Sequence, residues 1–135
     1  MYLLDTNVLS EVRRRSREAR RWMESVGGHE LFLSVITLGE IAKGVALKAR
    51  RDPQAAAFLA RWLGFVRIEY ATRLLVISDE IALAWGQIEA QRPRGPDGLL
   101  AATAMVHGLA LVTRNGRDFE DLPLQVVDPW RSASR

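Results

Sequence analysis

Four carboxylates, Asp5, Glu40, Asp97 and Asp118, stand far apart in this 135-residue chain, yet each falls where a strand-like run ends or a helical pattern begins. Acids brought together repel one another, and hard cations relieve the repulsion by taking the carboxylate oxygens as ligands. The set therefore points to a metal-holding site. Wide spacing suits such a site in an open parallel sheet, because the carboxyl ends of neighbouring strands gather distant residues at one edge. Thr6 and Asn7 beside Asp5, and Thr113 and Asn115 ahead of Asp118, would be neutral hydrogen-bonding neighbours.

Each acid also has a purely structural explanation. Asp5 and Asp97 can serve as helix caps, and Thr37-Leu38-Gly39-Glu40 fits a capping box in which Thr37 caps and Glu40 reaches back. Asp118 lies in a turn-rich segment, Thr113–Phe119. Caps, however, do not need to meet in space, so the combination carries more than any member.

The elements that must position these residues follow from the apolar pattern. Met1–Leu4 is a short apolar run giving way to Asp5-Thr6-Asn7, which predicts a buried strand and then a helix reaching about Val26, where Gly27-Gly28 breaks it. Leu31–Ile36 reads as a second strand, and a helix capped by Thr37 runs to about Ala49. Asp52-Pro53 starts the next helix, with Asp52 as cap and Pro53 in the first turn. There Phe58, Trp62 and Phe65 recur at i, i+4 and i+7, widened by Leu59, Leu63 and Val66. Deep burial is the simpler expectation for so broad a stripe, and a partner surface is the alternative.

Leu74–Ile77 is a third strand, followed by a helix capped at Ser78-Asp79-Glu80. Arg92-Pro93-Arg94-Gly95-Pro96 is a loop delivering the chain to Asp97, and Leu99–Val106 is a buried helix that Gly108 stops. Ala110–Thr113 and Leu124–Val127 supply two more strands. The alternation predicts an α/β fold, a three-layer α/β/α sandwich around a central parallel sheet of about five strands with right-handed crossovers. Joining the first and fourth strands would bring the acids together. Residues 1–131 form one expected domain, and 132–135 a frayed tail.

Composition narrows the classes. Hydrophobic residues make up 48% and charged residues 26%, an ordinary globular balance. The absence of cysteine excludes disulfides, thiolate metal sites and cysteine nucleophiles. No apolar run approaches the roughly 18 residues of a membrane span and no secretory leader is visible, so a cytoplasmic protein is expected. The net charge of +3 conceals a run, Arg13–Arg21, that is mostly arginine. Such a run can grip phosphates, or form a solvated helix face with Glu11, Glu18 and Glu24. His29 and His107 are expected to be structural.

Four blocks in order, Leu3-Leu4-Asp5-Thr6-Asn7-Val8-Leu9-Ser10-Glu11, Ser34-Val35-Ile36-Thr37-Leu38-Gly39-Glu40-Ile41, Asp97-Gly98-Leu99-Leu100-Ala101-Ala102-Thr103-Ala104, and Leu111-Val112-Thr113-Arg114-Asn115 with Arg117-Asp118-Phe119, resemble the PIN-domain ribonucleases. Within that group the likeness is to VapC-type toxins, and it spans nearly the whole chain, ending at Val127-Asp128-Pro129-Trp130. The resemblance implies Mg2+- or Mn2+-dependent hydrolysis of RNA phosphodiester bonds. Asp5, Glu40 and Asp97 match the three acidic positions of the family, and Asp118 the more variable fourth. It also implies a homodimer held inactive by a cognate antitoxin, with operator DNA reached only through that antitoxin. Two other classes are open to the residues. An aspartyl-phosphate enzyme would use Asp5 as nucleophile, but Asn7 stands where a second Asp is wanted and no lysine follows Lys48. A non-catalytic nucleic-acid or protein-binding module would use the acids as caps alone.

Overall fold

Leu3 and Leu4 are both fully buried, although neighbouring residues of a strand point to opposite faces. A strand with both faces covered belongs at the middle of a layered sandwich. The computed structural model, which describes residues 1–132, has that arrangement. In chain order the elements are β1 (Tyr2–Leu4), α1 (Thr6–Arg13), α2 (Arg17–Ser25), β2 (Leu31–Ser34), α3 (Val35–Ala49) and α4 (Pro53–Glu69). There follow β3 (Leu74–Leu75), α5 (Asp79–Gln91), α6 (Pro96–His107), β4 (Ala110–Val112), β5 (Val126–Val127) and α7 (Pro129–Ser132). The strands pair in the order β3-β2-β1-β4-β5, and every pairing is parallel.

Leu3 packs on one face with Ile81 and Ile88 of α5 and Leu100 and Ala104 of α6. Leu4 packs on the other with Val8 of α1, Ile41 of α3 and Val66 of α4. The expected α/β/α sandwich is therefore present, and β1 lies beside β4 with Leu4 opposite Val112. No helix among the described residues is long and apolar enough to cross a membrane. Of the expected frayed tail, Ser132 ends α7, and residues 133–135 lie outside the described residues.

Local signals hold at several boundaries. Asp52 accepts the Ala55 N–H at 3.1 Å with Pro53 in the first turn, Ser78 accepts the Ile81 N–H at 3.1 Å, and Gly108 ends α6 at φ +66°. Strands β3 and β5 are shorter than expected because, at the edges of the sheet, each has only one neighbour to pair with.

Three differences matter more. The single helix expected to reach Val26 is broken after Arg13, with Arg15 in the left-handed region at φ +67°. That conformation costs about 1–2 kcal/mol for an L-residue. The break re-aims α2 so that Ala19 is wholly buried and Trp22 meets Tyr2 edge to face, with ring centroids 5.0 Å apart. Second, Ser34 rather than Thr37 caps α3, accepting the Ile36 N–H at 3.0 Å, so the strand ends at Ser34 and the helix begins earlier than expected. The capping box does not form, which frees Thr37 and Glu40 for other partners. Third, the stripe on α4 is not buried: Phe58 is 68% and Phe65 63% exposed, while Trp62 is half-buried. The helix lies chiefly against α3 and sends only part of its circumference, including Ala56, Val66 and the following Tyr70, to the core.

Candidate active site

Asp5 leaves β1 at the carboxyl edge of the sheet, where its N–H still bonds the Val112 carbonyl of β4 at 2.9 Å. Its side chain is only 6% exposed. Asp5 stands at the N-cap position of α1, but its carboxylate closes no capping hydrogen bond. Instead Oδ2 accepts the Thr113 hydroxyl at 2.7 Å, and the Thr113 oxygen in turn accepts the Asn115 N–H at 3.1 Å. The end of β4 thus holds the acid at the end of β1. Burial pushes the Asp5 carboxyl above the usual carboxylate range, and the Glu40 charge adds to this. The Thr113 bond and the amides of Thr6 and Asn7 oppose it less strongly.

Glu40 joins from α3. Because α3 starts at Ser34, Glu40 lies in its second turn, and its Oε1 accepts the Thr6 hydroxyl at 2.6 Å. Thr6 Oγ1 lies 3.0 Å from that of fully buried Thr37, so three polar side chains of α1 and α3 form one network.

Asp97 arrives from the other face of the sheet. It is in the first turn of α6 behind Gly95 and Pro96 rather than at the cap, and Gly95 takes φ +61°. Gly98 allows α6 to start close against α5, since a Cβ there would stand 3.1 Å from Trp85 Cδ1. The Asp97 carboxyl is also raised, first by burial and then by the charges of Asp5 and Asp118, with Arg94 opposing. Asp118 sits exposed on a short 3-10 turn, Gly116–Phe119, anchored by buried Phe119.

The acids therefore form a linked series, in which Asp5 feels the charge of Glu40, and Asp97 those of Asp5 and Asp118. They do not form a closed cage: among the described residues no three acid or histidine side chains surround a single ion-sized point. Three buried polar atoms among the described residues lack a hydrogen-bond partner, Asn7 Oδ1, Trp85 Nε1 and Arg94 Nε. All belong to residues beside these acids or against their supporting glycine, and buried polar atoms without partners are few in a folded protein. An all-oxygen donor set with raised carboxyls and an orphaned amide oxygen fits a hard divalent cation.

The loop before Asp97 holds residues that the sequence pattern did not single out. Arg94, 3% exposed at its side chain, donates to the Asp118 carbonyl at 2.6 Å and forms a short ion pair with Asp121. Arg92 donates to the same carbonyl at 3.0 Å. Glu89 of α5 accepts the Arg94 N–H at 2.5 Å and the Gly95 N–H at 3.3 Å. This clamp ties the segment carrying Asp97 to the turn carrying Asp118. Its only trace in the sequence is a pair of arginines in a Pro-Gly loop just ahead of an acid, and nothing there names Asp121 as their partner. His29 and His107 are both exposed.

The parallel sheet, the acids at its carboxyl edge and their hydroxyl supports define a PIN-like α/β domain. The chain belongs to the PIN-domain family, whose model matches residues 2–124. It is 30% identical to the VapC ribonuclease Y4jK of Sinorhizobium fredii, across 98% of this chain and 100% of that protein. Among solved structures it resembles FitAcB of Neisseria gonorrhoeae at a TM-score of 0.85 and 31% identity, covering 96% of this chain and 99% of that one. A toxin–antitoxin complex from Klebsiella pneumoniae matches at a TM-score of 0.69 and 29% identity, covering 96% and 98%.

Proposed function

We propose that this chain is a Mg2+- or Mn2+-dependent endoribonuclease, the toxin of a toxin–antitoxin pair, with Asp5, Glu40, Asp97 and Asp118 as its metal-holding and catalytic acids. The observation that carries the reading is the convergence of Asp5 and Glu40 from one face of the sheet with Asp97 from the other, at the carboxyl end of β1. Full-length similarity to a named VapC ribonuclease supports it.

A bound divalent ion would supply an activated water at neutral pH and offset the charge growing on the leaving oxygen. The chain's own residues do the positioning. Thr113 fixes one oxygen of Asp5, and Thr6 fixes one oxygen of Glu40, leaving their other oxygens for the ion. Asp97 approaches from the opposite side, and the Arg94 clamp sets how far Asp118 stands from it. Thr6, Asn7, Thr113 and Asn115 act as supporting residues, of which Thr6, Thr113 and Asn115 do so through the bonds described.

The exposed rings of Phe58 and Phe65, with Trp62 between them, form the surface assigned to the cognate antitoxin. The working assembly is a cytoplasmic homodimer whose antitoxin alone contacts operator DNA. The test is cleavage of total RNA by the purified chain with Mg2+, Mn2+ or a chelator, followed by sequencing of the new ends. Discrete ends that vanish with chelator and in the Asp97→Asn protein are expected. RNA binding without any cleavage would favour the non-catalytic module.

A further inference from the structure

Beside the acids, on the β5 side of the sheet, lies a recess of about 800 Å³ whose walls include Arg114 and Arg117, the acids Asp118, Glu120 and Asp128, and apolar Leu124 and Val126. Asp118 and Asn115 border it, so it opens directly from the candidate catalytic edge. The guanidinium of Arg114 rests over the Trp130 ring at 4.5 Å, which holds it without neutralising it. Among the described residues neither Arg114 nor Arg117 forms an ion pair, whereas Arg92 and Arg94 nearby are committed to Asp121. Half-buried Leu124 and Val126 give the recess apolar wall. Two unneutralised guanidiniums over apolar surface match a nucleotide, which presents phosphate oxygens and the flat apolar face of a base. The volume falls within the range of about 300–1,000 Å³ typical of small-molecule pockets, enough for a nucleotide unit of a strand.

Resting on the ribonuclease reading, we propose that this recess is a subsite for single-stranded RNA next to the scissile phosphate, with Arg114 and Arg117 as its phosphate-binding residues. RNA leaving the acid edge past Asp118 enters the recess, and the two arginines counter the repulsion between its phosphates and the acids. The Arg13–Arg21 run does not qualify in the same way. Four of its residues line a separate recess made of charged residues, Arg15, Arg17, Arg20, Arg21 and Glu24, with no aliphatic or aromatic residue among them to receive a base.

The test is fluorescence anisotropy of a labelled, mixed-sequence single-stranded oligoribonucleotide with the full chain in chelator, over a series of salt concentrations. The double variant Arg114→Gln/Arg117→Gln should bind at least about tenfold more weakly. Its salt slope should fall by about 1.4, the loss of two single-strand phosphate contacts. Arg50→Gln/Arg51→Gln removes the same charge just past the C-terminal end of α3, an element that contributes nothing to the recess, and should change affinity less than about twofold. Equal losses in the two double variants, or none at Arg114 and Arg117, would overturn the subsite. So would weakening of the antitoxin complex alone. Binding is read without cleavage, so the subsite can fail while the ribonuclease reading stands; a wild type that binds RNA through Arg114 and Arg117 but cuts none would sink the ribonuclease reading and, with it, the placement beside a scissile phosphate.

Discussion

The carboxylate edge and the outer face of α4 both run against the ordinary sorting of a folded chain, in opposite senses. At the edge, Asp5 is 6% exposed and lies near Glu40 and Asp97, so acids sit where burial and mutual charge both disfavour ionisation. On α4, Phe58, Phe65 and Ile68 are 63–80% exposed, with Arg61 laid over the Phe58 ring at 4.6 Å. The first region is held by specific hydrogen bonds from Thr6 and Thr113. The second is simply the side of a helix left over once α3 and the core have been satisfied. A polar site needs each atom placed, whereas an apolar surface needs only shape and area, and this governs how sharply each should respond to mutation.

The largest effect should come from the edge. Replacing Asp5 or Asp97 by Asn, or Glu40 by Gln, preserves shape and removes charge, and should lower kcat/KM for RNA at least about a hundredfold, about 3 kcal/mol of transition-state stabilisation. Wild-type turnover by Asp97→Asn would remove that residue from the site. Asp118→Asn should cost less, because Asp118 is exposed and linked only to Asp97.

On α4 the comparison breaks if the exposed rings are idle. Phe65→Ser should weaken the antitoxin complex about thirtyfold, near 2 kcal/mol for an aromatic anchor. It should shift stability by less than about 0.5 kcal/mol, as exposed positions do. Unchanged affinity by calorimetry, with Trp62→Ser equally silent, would leave this face without a partner. Trp62 is the less clean probe, since it packs on the core and under Arg13 at 5.4 Å.

A smaller effect should separate the clamp from the acids themselves. Asp121→Asn leaves every proposed ligand in place but loosens Arg94 from the turn that carries Asp118. Metal affinity should fall about tenfold, the usual scale for residues behind a ligand. Calorimetric titration with Mn2+ reads this without catalysis, and an unaltered affinity would show that Arg94 holds the loop for stability alone.

The smallest effect is thermal. Asp5 and Asp97 have folded-state carboxyls raised above their unfolded values, so their contribution favours folding at low pH and is lost as pH rises through the raised values. Without metal, stability should decline on that account from about pH 4 upward toward neutrality. Asp5→Asn should therefore gain a few degrees in Tm near pH 7 in chelator. Magnesium should stabilise the wild type most near neutral pH, progressively less below about pH 5, and not at all when Asp5 and Asp97 are both amides. Scanning calorimetry with and without Mg2+ decides it, and an equal shift in the double amide would place the ion elsewhere.

Much of this molecule was legible in order of residues alone. Alternating apolar runs and caps are local signals, so the α/β class, the starts of α4 and α5 at Asp52 and Ser78, and the stop at Gly108 could be read from a few neighbouring side chains. Strand ends and helix starts marked Asp5, Glu40, Asp97 and Asp118, and the sequence likeness matched the same four. What the chain could not disclose is which local option wins when two are available. Both Ser34 and Thr37 can cap a helix; Ser34 prevails at the buried end of β2, while Thr37 reaches Thr6, a residue 31 positions away. Both burial and exposure suit an apolar stripe, and the place of α4 outside α3 decides for exposure of Phe58 and Phe65. The bonds from Thr113 to Asp5 across 108 positions, and from Arg94 to Asp121 across 27, exist only because the sheet sets β4 beside β1 and the loops before α6 and after β4 meet above it. Periodicity and capping act over one or two turns and are written in sequence, whereas side-chain partners across the sheet depend on distances that only packing sets.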